Sequence, residues 1–77
     1  MDRRYETHPD GVVFVYAQRL LGRHGQPVEG INPEVWVWDV VAVVDRNGNE
    51  VPPWEDERVE LVGFPGVWVV KEEFRGQ

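Results

Sequence analysis

Glu34-Val35-Trp36-Val37-Trp38-Asp39-Val40-Val41-Ala42-Val43-Val44, followed by Asp45-Arg46-Asn47-Gly48-Asn49-Glu50, decides the reading of this 77-residue chain. Valine loses χ1 freedom in a helix and packs well on a pleated surface. A run of this composition is therefore a strand. Trp36, Trp38, Val40, Ala42 and Val44 fall on one face by simple alternation, and Val35, Val37, Asp39, Val41 and Val43 on the other. Both faces are largely apolar, so the strand is central or its second face is covered. Asn47-Gly48 after it supplies the residue types that tolerate positive φ in a tight hairpin.

The rest of the chain agrees with that start. Sixteen Val stand against three Leu, one Ile and two Ala, and good helix formers are scarce. Upstream, His8-Pro9-Asp10-Gly11 reads as a turn, and Val12 to Leu21 as a strand that points Val12, Phe14 and Tyr16 inward. Between the two long strands, residues 22–33 contain three Gly and two Pro, the composition of a long connecting loop. Downstream, Pro52-Pro53 stops a short return strand, because proline cannot donate to a ladder. Arg58 to Val62 alternates with Val59 and Leu61 inward. Phe64-Pro65-Gly66-Val67 fits a type II turn, and Val67 to Phe74 is a last strand with Trp68, Val70 and Phe74 on one side.

The expectation is one all-β domain over residues 11–75, preceded by a polar arm at 1–10. Four to five strands joined by tight turns suit a small antiparallel barrel or a strongly bent sheet. The order of long strand, long loop, long strand, tight hairpin and short strands resembles an SH3-like barrel in architecture. A chain of this length buries only about 60% of its unfolded surface. With no cysteine, no disulfide or thiolate metal site supplements the core. The polar start, Met1 to Glu6, is not followed by a long apolar run, which points to a cytoplasmic protein with no membrane partner.

Chemistry is excluded more easily than assigned. The chain has no Ser or Cys and a single Thr, Thr7, so a Ser or Cys triad cannot be built. His8 and His24, with Asp10 or Glu29, could supply zinc ligands only by an accident of folding, since no ligand spacing is recognisable; both histidines read as solvated loop residues. Asp45-Arg46-Asn47-Gly48-Asn49-Glu50 has its glycine fourth, where a calcium loop of the EF-hand type needs it sixth. Gly22-Arg23-His24-Gly25 is too short for a phosphate cradle. The expectation is no enzyme, no cofactor and no metal.

Binding remains. The net charge is −6, and all of the excess acid falls after residue 30, which disfavours direct nucleic-acid contact. Trp54 follows Pro53 and precedes the acids Glu55, Asp56 and Glu57, with Glu60 nearby. A tryptophan off the strands and ringed by charge is a typical interface anchor, or else a plug for the open end of the barrel. The first reading is a non-enzymatic protein-interaction module in which Trp54, Glu55, Asp56, Glu57 and Glu60 dock onto a basic partner. A second is a self-associating structural subunit and homo-oligomer, using Trp36 and Trp38 or Val35, Val37, Val41 and Val43. A third is an acidic nucleic-acid mimic, the form a short virally encoded inhibitor would take, which requires the acids to gather on one surface.

Overall fold

The computed structural model describes residues 2–23 and 34–75, and the side chains of 2–20 and 36–75. Its regular structure is almost entirely strand: β1 (Arg3–Thr7), β2 (Val13–Arg23), β3 (Glu34–Val44), β4 (Glu50–Val51), β5 (Val59–Val62) and β6 (Val67–Val70), with short 3-10 helices at Pro53–Glu55 and Glu72–Phe74. The first four strands form an antiparallel meander in the order β1-β2-β3-β4, and β5 and β6 form a separate hairpin. The all-β class stands. The expected barrel does not close, because among the described residues no ladder joins the hairpin to the meander.

Residues assigned above to a polar arm form β1, paired with β2 from Arg3↔Ala17 to Thr7↔Val13. An edge strand needs a partner for its backbone on one side only, so Arg3, Arg4 and Glu6 can stay polar. The turn that joins it to β2 is the expected one. Gly11 adopts φ 91°, His8 N–H donates to the Val12 carbonyl, and Asp10 Oδ1 accepts from Val12 N–H. The β3–β4 turn also matches: Asp45 Oδ1 accepts from the N–H groups of Asn47 and Asn49, and Gly48 takes φ 84°. The turn between β5 and β6 does not match. Gly63 holds the positive φ and Gly66 does not, so Phe64-Pro65-Gly66-Val67 is not a type II turn, which needs positive φ at its third residue.

The pairing of β2 with β3 carries the main correction. Val15 lies opposite Ala42 and Tyr16 opposite Val40, so Val41 is an extra residue on β3, a β-bulge. One inserted residue exchanges the faces of everything beyond it. Phe14 is opposite Val43, Tyr16 opposite Val40, Gln18 opposite Trp38 and Leu20 opposite Trp36. Val43 therefore shares a face with Val40, Trp38 and Trp36, and does not belong with Val35, Val37 and Val41.

That face meets the hairpin. Val12, Phe14, Val40, Val43, Val59 and Val70 form the core, with Tyr16, Val51, Trp68 and Phe74 packed around it. Phe14 is fully buried, worth roughly 2–3 kcal/mol from solvent transfer alone. Phe74 reaches the core from a 3-10 helix, not from an extended strand as the alternation suggested. Val59 points inward as expected, but Leu61 is 55% exposed. It lies across the hairpin from Trp68 and over Gly66, where an added Cβ would come within 2.6 Å of the Leu61 methyl.

Candidate functional site

Trp54 sits in the middle of the 3-10 helix Pro53–Glu55, which Pro52 enters with φ −64°. Pro53 opens the helix, where the fixed φ of proline is already set for the turn. Pro53 is buried and anchors the segment, while Trp54 is 64% exposed. It plugs nothing. One side of its indole leans on Trp68, with ring centroids 6.0 Å apart and planes tilted by 45°. Leu61, opposite Trp68 in the hairpin, continues the apolar surface. Trp68 is itself fixed by the buried Asp39, whose Oδ1 accepts from the Trp68 N–H at 2.8 Å.

The acids expected around Trp54 separate into three groups. Asp56 is internally committed: Arg58 Nε and Nη2 donate to its two oxygens at 3.0 and 2.9 Å, and the Arg58 backbone N–H donates at 2.9 Å. Its hydrogen bond to the Arg58 side chain holds the carboxyl below its ordinary range, against an opposing push from burial. Glu60 faces Val69 across the hairpin, and alternation along β5 puts it on the face opposite Leu61. Glu55 and Glu57 are exposed beside Trp54. They line an open groove of about 480 Å³ together with Asp10, Asp56, Arg58 and Phe74. Four carboxylates face one guanidinium there, so the groove is acidic.

Arg58 closes the core end of that groove. Its Nη1 donates to Asp10 Oδ2 at 2.9 Å, and its guanidinium stands 5.1 Å from the Phe14 ring centroid. Asp10 is held below its ordinary range first by the Val12 N–H and then by Arg58. His8, expected in solvent, is instead buried. Its ring meets Phe14 edge-on at 4.5 Å and its Nε2 lies 3.0 Å from Glu6 Oε1. The β1–β2 turn folds it inward. His24 and Glu29 lie outside the described residues. Among the described residues no group of three or more His, Cys, Asp or Glu could hold a metal ion, and no helix is long and apolar enough to cross a membrane.

The residues considered for self-association are scattered. Trp36 and Val41 are exposed, Val37 and Trp38 are half-buried, and Val43 is in the core; the side chain of Val35 lies outside the described set. Two features went unforeseen. Phe64 is fully exposed at the tip of the β5–β6 hairpin. Arg4, Glu6, Tyr16, Trp38, Val69, Val70 and Arg75 line a second groove, which no single stretch of sequence could announce because its walls come from β1, β2, β3, β6 and the C-terminal segment.

No protein-family model matches the chain, and neither a curated protein nor a solved structure matches it significantly. The site geometry is the basis for a functional reading.

Proposed function

We propose that this chain is a non-enzymatic protein-interaction module that docks through Trp54 and the adjoining acidic groove onto a basic partner. The observation that carries the reading is the exposure of Trp54 on a rigid support. Its ring leans on Trp68, and its backbone is fixed between Pro52-Pro53 and the Asp56–Arg58 clasp. An anchor that is already ordered loses little entropy on binding. Glu55 and Glu57 add the charge that would steer a basic surface to it, whereas Asp56 is structural and Glu60 lies on the other face. In this reading the scaffold is an opened relative of the SH3-like architecture, a meander and a hairpin facing each other over Phe14.

The test compares capture of the partner by wild type and Trp54→Ala at low and high salt. A basic partner that is lost on the substitution and weakened by salt supports the reading. Equal capture by both forms, independent of salt, contradicts it.

Self-association is the second reading; Trp36 and Val41 on β3 are both exposed but lie on opposite faces, so it would use one or the other. Sedimentation across a range of concentrations separates the two, since a monomer throughout excludes it. The nucleic-acid mimic is the third reading, and it requires the acids after residue 30 to share one surface. Asp39, Asp45 and Asp56 accept bonds within the chain.

A further inference from the structure

We propose that the groove walled by Arg4, Tyr16, Trp38 and Arg75 binds a small oxyanion, a carboxylate or phosphate group. The groove encloses about 360 Å³ between the core face of the meander and β6. That is near the lower end of volumes that hold small ligands, roughly 300–1,000 Å³. This site is independent of the Trp54 surface.

Its chemistry is unlike that of the rest of the molecule. In a chain of net charge −6, this groove gathers two guanidiniums against one carboxylate, Glu6, which itself lies 3.0 Å from His8 Nε2. The Arg4 guanidinium stands 5.1 Å from the Trp38 ring centroid and 5.9 Å from that of Tyr16. Such stacking fixes the plane of an arginine while leaving its edge N–H donors for an acceptor. Arg75 is fixed differently: its Nε donates to the Val70 carbonyl at 2.9 Å.

The Tyr16 hydroxyl lies within the influence of both arginines. Burial and Glu6 raise its pKa above the ordinary value, and Arg75 and Arg4 oppose that rise. It is protonated at neutral pH and can donate. Two planar cations and a phenol beside an indole match an oxygen anion better than a neutral group.

The experiment follows the indole N–H resonance of Trp38 and the amides of residues 69–75 while sodium phosphate, acetate or benzoate is added at low ionic strength. The neutral analogue benzamide is the control. At least one anion should give a saturable shift with half-saturation at about millimolar or below, and benzamide should give none. Phosphate alone would place the ligand among phosphorylated compounds, and the carboxylates alone among organic acids. Arg75→Gln should weaken binding about tenfold, the scale of one charge-assisted hydrogen bond. Arg4→Gln, on an exposed edge strand, is the second variant should Arg75→Gln melt. Trp54→Ala should leave the titration unchanged, so failure here and failure of the docking surface are distinguishable. No saturation with any anion, or undiminished binding in both arginine variants, overturns the proposal.

Discussion

Arg58 grips Asp56 at both carboxylate oxygens, through Nε at 3.0 Å and Nη2 at 2.9 Å, two residues apart in the chain. The same guanidinium reaches Asp10 and covers Phe14. One side chain thus ties the β1–β2 turn, the segment after Trp54 and the core together. Both Arg58 and Asp56 are largely shielded from water, which makes this pair stronger than an exposed one and leaves a costly charge behind if one partner is lost.

Asp56→Asn should therefore destabilise the fold by about 2 kcal/mol at neutral pH. Urea denaturation at pH 7 measures it. The pH dependence has a definite sign. Asp56 has a lowered carboxyl pKa in the folded chain, so its contribution is fully present above the ordinary value of 3.8 and is lost as the pH falls below it. Wild type should lose part of its advantage over Asp56→Asn between pH 4 and more acidic solution, and a constant difference across that range would contradict the assignment.

Gly66 has no room for a side chain because Leu61 lies over it, its Cδ1 only 2.6 Å from where a Cβ would stand. Gly66→Ala should cost about 0.5–1 kcal/mol, the scale of an off-rotamer side chain, because Leu61 is 55% exposed and must turn aside. In Leu61→Ala/Gly66→Ala the clash is absent, so the double variant should be more stable than the sum of the single effects predicts. Strict additivity in thermal or urea melts would show that the contact does not govern the turn.

Asp39 is buried in a strand built, after Glu34, of Val, Ala and Trp, and its acceptor bond to the Trp68 N–H helps join the hairpin to the meander at that level. Arg19 supports it from 3.5 Å and also donates to the Gly66 carbonyl. Asp39→Ala should cost about 2 kcal/mol, since it orphans a backbone donor. Asp39→Asn retains an acceptor oxygen and should recover part of the loss. Hydrogen exchange at Trp68 gives the local readout: faster exchange in Asp39→Ala than in Asp39→Asn is expected, and equal rates would contradict the role.

Much of the fold is legible in the chain because its signals are local. The bounds of β3 at Glu34–Val44, the Asp45–Glu50 turn and the stop at Pro52-Pro53 follow from valine density, Asn-Gly and proline. The bulge at Val41 is not legible, because both faces of β3 are apolar and an extra residue leaves no break in the pattern. β1 is hidden for the opposite reason: an edge strand carries Arg3, Arg4 and Glu6 without needing an apolar face. At the site, Trp54 is legible as a lone aromatic among acids. The commitment of Asp56 to Arg58, the displacement of Glu60 and the Arg4–Trp38 contact all depend on tertiary placement or strand parity, which composition does not encode.

Trp54 is where the account is most exposed to a direct test. Binding of the basic partner and thermal stability should be measured on wild type and Trp54→Ala side by side. An exposed anchor predicts binding weakened by about 2 kcal/mol or more, roughly thirtyfold, with stability changed by less than about 1 kcal/mol. Unchanged binding together with a large drop in melting temperature would contradict it, and would make Trp54 a structural partner of Trp68.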